Sequence, residues 1–276
     1  MPANRELLAS VMSARRRLAE SGPPRLRAAG DFERVALPNR DCDVLRDVLV
    51  EARPHVVIEI GLAYGSSALA IAEALVGQDR QTKHVIIDAY QDRFHNVGWE
   101  AIVSAGLGDR CTLVAERSQL ALPRLLTDGV VADAAFVDGS HAFHNVFVDL
   151  SFLRELVRPG GLIILDDCQW PSVATAVRYF EVNSGWQSQP MAIERDLGPM
   201  EARTGCVSDA PSAWSTSEIV SFFASPTARP EVCSCVAANR RTSGVSSKLL
   251  KFAVTERLTC SSASRIGASK STAARS

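Results

Sequence analysis

The chain has 276 residues, 46% of them hydrophobic, and a formal net charge of −1. That is enough apolar material for one substantial core with appendages, and too little net charge to draw the chain to nucleic acid or an anionic membrane. No apolar run approaches the ~20 residues that span a bilayer, and Met1–Ser21, interrupted by Arg15-Arg16-Arg17, lacks the apolar stretch of a secretion signal. The seven cysteines (Cys42, Cys111, Cys168, Cys206, Cys233, Cys235 and Cys260) are odd in number and form no CxxC pair. They fit reduced thiols in a cytoplasmic protein better than a disulfide framework. Cys233, Cys235 and Cys260 fall one ligand short of a zinc set.

Residues 1–53 read as a helical lead-in, whose last helix, about 42–52, stops before Pro54. From residue 54 strand and helix patterns alternate. Apolar strand candidates lie at 56–60, 84–88, 112–115, 134–138 and 162–166, with helical patterns at about 66–76, 95–105, 119–127, 143–157 and 171–183. This alternation predicts an α/β fold, a doubly wound and mostly parallel sheet with helices on both faces. Two further strands, 189–193 and 202–207, joined by Leu197-Gly-Pro199, are expected as an antiparallel hairpin that brings the count to seven and completes a domain at residue 207. The segment 208–276 holds 16 serines, with nine basic against four acidic residues. It reads as a low-complexity, disordered tail, although 219–224 and 249–254 are apolar enough for short helices.

The most informative stretch is Val56-Val-Ile-Glu-Ile-Gly-Leu-Ala-Tyr-Gly-Ser-Ser67, a buried strand running through glycines into a helix. Such a turn lets the backbone approach a ligand and aims helix N–H groups at it. Glu59 sits at the strand end, where a carboxylate would repel a pyrophosphate but favour a ligand with an amine or sulfonium. That sign preference points to S-adenosylmethionine over a nicotinamide dinucleotide. Ligands of open α/β sheets bind at the carboxyl ends of the strands, so the strand-end residues follow in order. The first end offers Glu59, Gly61, Gly65 and Ser67, and the second Asp88, which suits a ribose or caps a helix. The third offers Glu116, Arg117, Ser118 and Gln119, the fourth Asp138-Gly-Ser-His141, and the fifth Asp166-Asp167. Three carboxylates on neighbouring strand ends repel unless a hard divalent cation joins them, or unless one of the aspartates caps the helix near Pro171. His141 has the ordinary pKa of a general base, ~6.5; His144, one turn on, is the alternative.

These residues carry a resemblance. Glu59-Ile-Gly61-Leu-Ala-Tyr-Gly65-Ser-Ser67, Asp88, Ser118-Gln119, Phe136-Val-Asp138 and Arg158-Pro-Gly-Gly-Leu-Ile-Ile-Leu-Asp166-Asp167 look like a class I S-adenosylmethionine-dependent methyltransferase. The closer likeness is to the metal-dependent O-methyltransferases, those of catechols and their sugar- and antibiotic-modifying relatives, and covers about residues 35–207. It implies the Rossmann-like seven-stranded fold. It also implies that Glu59, Gly61, Ala63, Gly65 and Ser67 hold the methionine part of the cofactor, Asp88 the ribose, and Ser118 and Gln119 the adenine. Asp138, which also borders the cofactor, would hold Mg²⁺ with Asp166 and Asp167, and His141 would be the general base. Ala63 stands where a middle glycine is frequent, and Asp167 where the catechol enzymes have asparagine.

The expected function is transfer of a methyl group to the hydroxyl of a small-molecule acceptor, with no nucleic acid or membrane partner. The loop 90–99 (Tyr90, Phe94, His95, Trp99) and residues 1–50 are expected to form the acceptor pocket, and with Trp170 they suggest an aromatic acceptor. A nicotinamide-dependent oxidoreductase is the alternative enzyme, but it calls for G-x-G-x-x-G where this chain has Gly61-x-x-x-Gly65. A non-catalytic methyltransferase-like binding protein would have no need of Asp138, His141, Asp166 and Asp167.

Overall fold

The computed structural model describes residues 2–78, 80–190 and 250–253. Three helices come first, α1 (Pro2–Ser21), α2 (Asp31–Val35) and α3 (Asn39–Ala52). Pro54 sets the end of α3, and Arg53 takes a left-handed φ of 49° there. The alternation then runs β1 (Val56–Ile60), α4 (Ser66–Val76), β2 (Lys83–Ile87), α5 (Val97–Ser104), β3 (Cys111–Val114), α6 (Ser118–Thr127), β4 (Ala132–Val137), α7 (Phe143–Leu156), β5 (Val157–Leu165) and α8 (Pro171–Ser184). The five strands form a parallel sheet in the order β3-β2-β1-β4-β5. The order reverses beside β1, and so the carboxyl ends of β1 and β4 open a crevice.

Strand alternation divides the core. Ile58, Ile60, Val85, Ile87 and Leu165 face α6, α7 and α8 with Leu122, Leu150, Leu153 and Phe180. On the opposite face Val57, Phe136 and Ile164 meet Leu45, Leu49 and Ile71 of α3 and α4. There α1 also docks, through Val11 and Leu18, on a cluster that includes Leu69, Val76, Ile86 and Ile102. Both faces are covered, so the strands read as unbroken apolar runs.

Three local expectations change. The helix expected over 95–105 begins only at Val97, because His95 and Asn96 take left-handed φ values of 54° and 58° after a 3-10 turn at Gln91–Phe94. Strand β5 starts at Val157 rather than 162, with a register slip against β4 between Ala132 and Ala134 that accommodates Pro159-Gly-Gly161. At the free edge of β5 the antiparallel neighbour is β7 (Leu250–Ala253), which pairs in turn with β6 (Ser188–Pro190). The segment expected as a short helix at 249–254 is therefore extended, as the alternation Leu-Lys-Phe-Ala favours. The expected hairpin partner 202–207, with the rest of 191–249 and 254–276, lies outside the described residues. Among the described residues no helix is long and apolar enough to cross a membrane, and Cys42, Cys111 and Cys168 are free thiols.

Candidate active site

A cleft of about 580 Å³ opens at the carboxyl ends of the strands and gathers the strand-end residues. Gly61, Leu62, Ala63, Ser66 and Ser67 line it from the turn after β1. Gly61 has φ +97°, and a Cβ there would stand 2.1 Å from the Asp138 carbonyl oxygen. Only glycine lets the turn lie against the end of β4. Gly65 enters α4 at φ +88°, and Gly98 must lack a side chain because a Cβ would come 2.4 Å from the Ala63 carbonyl. Ala63 itself holds φ +44°, a conformation that costs a non-glycine residue roughly 1–2 kcal/mol.

Asp88 offsets that cost. Its Oδ2 accepts hydrogen bonds from the backbone N–H of Leu62 (2.9 Å) and Ala63 (3.0 Å) and from Gln91 Nε2 (3.0 Å), and its Oδ1 from Tyr90 N–H (2.7 Å). Gln91 also donates to the Ala63 carbonyl at 2.9 Å. Asp88 thus braces the turn as well as lining the cleft, and it caps no regular helix. Oδ1 has only one described donor and so retains acceptor capacity toward the cleft.

Glu59 is placed otherwise than expected. It is 0% exposed and does not line the cleft. It accepts a hydrogen bond from Ser67 Oγ at 2.6 Å, and its Oε2 lies 2.8 Å from Nε2 of His84, a residue the sequence reading passed over. Alternation puts both on the α4 face of the sheet, with Cys111 Sγ 3.9 Å from His84 Nδ1. Burial works against the charged imidazole, but the Cys111 and Glu59 partners outweigh it and raise the His84 pKa to about 9. The negative charge at the strand end is therefore already met by a cation, and Ser67 carries its effect to the cleft.

Ser118 and Gln119, at the start of α6, line the cleft as expected. Gln119 Nε2 donates to Asn145 Oδ1 at 3.0 Å, and Asn145 Nδ2 to Ser140 Oγ at 2.8 Å. Behind Ser118 stands Asp149 of α7, 1% exposed, its pKa raised from 3.8 to about 7 by burial, against a hydrogen bond from Ser118. The folded state holds this proton to higher pH than the unfolded chain does. Stability is therefore lost as pH rises from about 4 to about 7. Asp149→Asn should remove that loss, a gain that urea melts show at pH 8 and not at pH 4.

The acidic cluster differs in one member from the expected set. Ligand atoms of Asp138, His141 and Asp167 lie within 4.8 Å of one another, and Asp166 is not in this group. Successive strand residues point to opposite faces. Asp166 continues the ladder, its N–H bonded to Val137 O at 3.0 Å, whereas Asp167 turns away at φ +55°, which aspartate tolerates. Asp166 still lines the cleft. His141 Nε2 lies 3.0 Å from Asp167 Oδ2 and 3.8 Å from Asp138 Oδ1. Asp138 and Asp167 push its pKa up to about 10, and burial pushes the Asp138 carboxyl up to about 6 despite the His141 partner. The imidazolium thus fills the role of a cation between two carboxylates. Oxygen donors from Asp138 and Asp167, with the His141 ring beside them, form a donor set that a hard divalent cation fits.

His144 also lines the cleft, on its exposed side. Of the expected acceptor loop, Tyr90 and Phe94 line the cleft, His95 is exposed outside it, and Trp99 packs beside α1. From residues 1–50 the lining comes from 27–38. Here Tyr64 O–H donates to buried Asp31 at 2.6 Å, and Arg27 donates to the same carboxylate at 2.8 Å. This contact ties α2 to the glycine turn, and no motif in the sequence announces it. Trp170 stands half-exposed outside the lining but stacks on His141, ring centroids 5.8 Å apart at 19°.

Residues 58–168 match a family described as methyltransferase domain. Over that segment, with the strand order and the strand-end residues, the chain is similar to class I S-adenosylmethionine-dependent methyltransferase domains. Among named proteins the chain is similar to catechol O-methyltransferase of Bos taurus, 27% identical over 144 residues, which are 51% of each chain. It is also similar to an Arabidopsis thaliana protein provisionally named caffeoyl-CoA O-methyltransferase, 33% identical over 113 residues, 41% of this chain and 46% of that one. The chain thus spans about half the length of these relatives. Two solved structures share the fold. The O-methyltransferase from Bacillus cereus in complex with SAH has a TM-score of 0.51 at 17% identity, over 66% of this chain and 82% of that one. The O-methyltransferase TomG from Streptomyces achromogenes, in complex with SAM and involved in tomaymycin synthesis, has 0.50 at 20% identity, with the same coverage.

Proposed function

We propose that this chain transfers a methyl group from S-adenosylmethionine to a hydroxyl of a small-molecule acceptor, assisted by a divalent cation. The observation that carries this reading is the meeting, in one cleft, of the glycine turn braced by Asp88 with the Asp138–His141–Asp167 cluster. Gly61, Ala63, Gly65 and Ser67 would face the methionine part of the cofactor, Asp88 the ribose hydroxyls, and Ser118 and Gln119 the adenine. Asp138 and Asp167 would hold the cation, with Asp166 beside them. Bound there, a divalent cation supplies the countercharge that the carboxylates otherwise draw from His141.

His141, freed of that role, is positioned to take the acceptor hydroxyl proton at Nε2. S-adenosylmethionine, when bound, would supply the methyl group, its carbon–sulfur bond breaking as the acceptor oxygen bonds to the methyl carbon, with the electron pair left on sulfur. The sulfonium makes the methyl electrophilic, so the protein's part is alignment and exclusion of water. Tyr90, Phe94 and residues 27–38 shape the acceptor side, and Trp170 buttresses His141, in keeping with an aromatic acceptor. We further propose β6 and β7 as the antiparallel pair that completes a seven-stranded sheet, and the cytoplasm as the compartment.

The test is ligand binding. S-adenosylhomocysteine should raise the melting temperature, as mass action requires of a ligand bound only to the folded state; at a hundredfold excess over Kd that is roughly 2.7 kcal/mol. NAD(P) should not. Asp88→Ala should weaken S-adenosylhomocysteine at least tenfold in isothermal titration, because it frees the turn and removes the ribose acceptor. A melting shift with NAD(P) and none with S-adenosylhomocysteine would favour the oxidoreductase instead.

A further inference from the structure

The buried row Cys111–His84–Glu59 lies outside the chemistry just described and meets the cleft through Ser67, whose hydroxyl donates to Glu59. Register places the row on three adjacent strands: His84 pairs with Val57 of β1, two residues before Glu59, and with Cys111 of β3. Glu59 and His84 are 0% and 1% exposed. Among the described residues neither Glu59 Oε2 nor His84 Nε2 has another hydrogen-bond partner, although they stand 2.8 Å apart. Burying a carboxylate and an imidazole this deeply under α4 is costly unless each compensates the other. An apolar pair would fill the space at less cost, so the pair calls for a role beyond packing.

We propose that His84 is a positioning residue for the cofactor: paired with Glu59, it fixes the Ser67 hydroxyl as a hydrogen-bond acceptor for the ammonium group of the cofactor's methionine part. This rests on the methyltransferase reading above. A hydroxyl has one proton and two lone pairs. The Ser67 proton is committed to Glu59 Oε1, at 2.6 Å. That leaves the Ser67 lone pairs to accept from a donor in the cleft that this residue lines. An ammonium only donates, so the row presents the matching polarity. Cys111, at 3.9 Å from Nδ1, holds the second ring nitrogen and fixes the imidazole plane. The raised His84 pKa agrees with this pairing. The row thus selects the amino acid end of the cofactor, not its adenosine.

That distinction provides the experiment. S-adenosylhomocysteine and 5′-methylthioadenosine share adenosine and sulfur, but only the first has the ammonium and carboxylate. Isothermal titration of both compounds to the full chain is compared for wild type, Ser67→Ala, His84→Leu, His84→Gln and the Ser67→Ala/His84→Leu double variant. Expected is a loss of tenfold or more for S-adenosylhomocysteine in Ser67→Ala and His84→Leu, with 5′-methylthioadenosine changed less than twofold. His84→Gln, which keeps a donor toward Glu59, should recover part of the loss, and the double variant should bind no more weakly than Ser67→Ala. An equal loss of both ligands, an unchanged preference, or additive losses in the double variant would overturn the proposal. Should His84→Leu fail to fold, His84→Gln decides: a selective loss of threefold or more supports the proposal, and an unselective one overturns it. Wild-type protein that binds neither compound would overturn the methyltransferase reading itself, and this proposal with it.

Discussion

Asp138→Asn is expected to abolish Mg²⁺ binding in isothermal titration, and excess EDTA to suppress methyl transfer by the wild-type protein to the level of that variant. Two carboxylates, Asp138 and Asp167, share a site within 4.8 Å of His141, and the imidazole is now their only described countercharge within that cluster. Removal of one carboxylate deletes an oxygen ligand and half of the negative charge that attracts a hard cation. His141→Ala should instead leave S-adenosylhomocysteine affinity intact and lower kcat by ~10²–10⁴, the range typical of a general acid–base group. Both are measured on any hydroxyaryl acceptor that turns over. Full activity in EDTA would make the carboxylates a structural clamp for His141. An unchanged kcat in His141→Ala would pass proton removal to His144 or solvent.

Among the described glycines, Gly61→Ala should be the most damaging addition of a methyl group. The new Cβ would lie 2.1 Å from Asp138 O and 2.7 Å from Asp138 C, both backbone atoms that cannot rotate away. Positive φ costs alanine ~1–2 kcal/mol, and overpacking adds ~1–3 kcal/mol. A total of about 2–5 kcal/mol corresponds to a fall in melting temperature of roughly 4–20 °C. Because the clash parts the ends of β1 and β4, cofactor and metal affinity should fall together in this variant, whereas Asp138→Asn affects mainly the metal. A melting temperature within a degree of wild type would show that the turn after β1 is not held against β4.

The parallel sheet was legible because its strands are buried on both faces. Val56–Ile60, Lys83–Ile87 and Cys111–Val114 stand within one residue of the sequence-based expectation, and each ends at the turn or carboxylate that the sequence marks. Similarly, Gly61 and Gly65 announce a backbone that no other residue adopts easily, and Asp88, Asp138 and Asp166 follow from being next after an apolar strand. The strand Leu250–Ala253 lies in a segment whose composition reads as a low-complexity tail with room for a short helix at 249–254; four residues carry too little periodicity to announce a strand, and the unpaired edge of β5 decides its place.

What the sequence by itself determined is therefore what depends on neighbours in the chain: strand against helix, the glycine turn, and the acidic residues at the strand ends. What only the tertiary structure decided is which side chains meet across strands. Glu59 reads as a free charge facing a ligand, yet His84, 25 positions away in the chain, neutralises it under α4. Asp166 and Asp167 read as an equivalent pair, yet one left-handed residue sends Asp167 to His141 and keeps Asp166 out of the cluster. Such partnerships have no local signature, because strand register and a single backbone dihedral set them, and both are outcomes of packing the whole sheet.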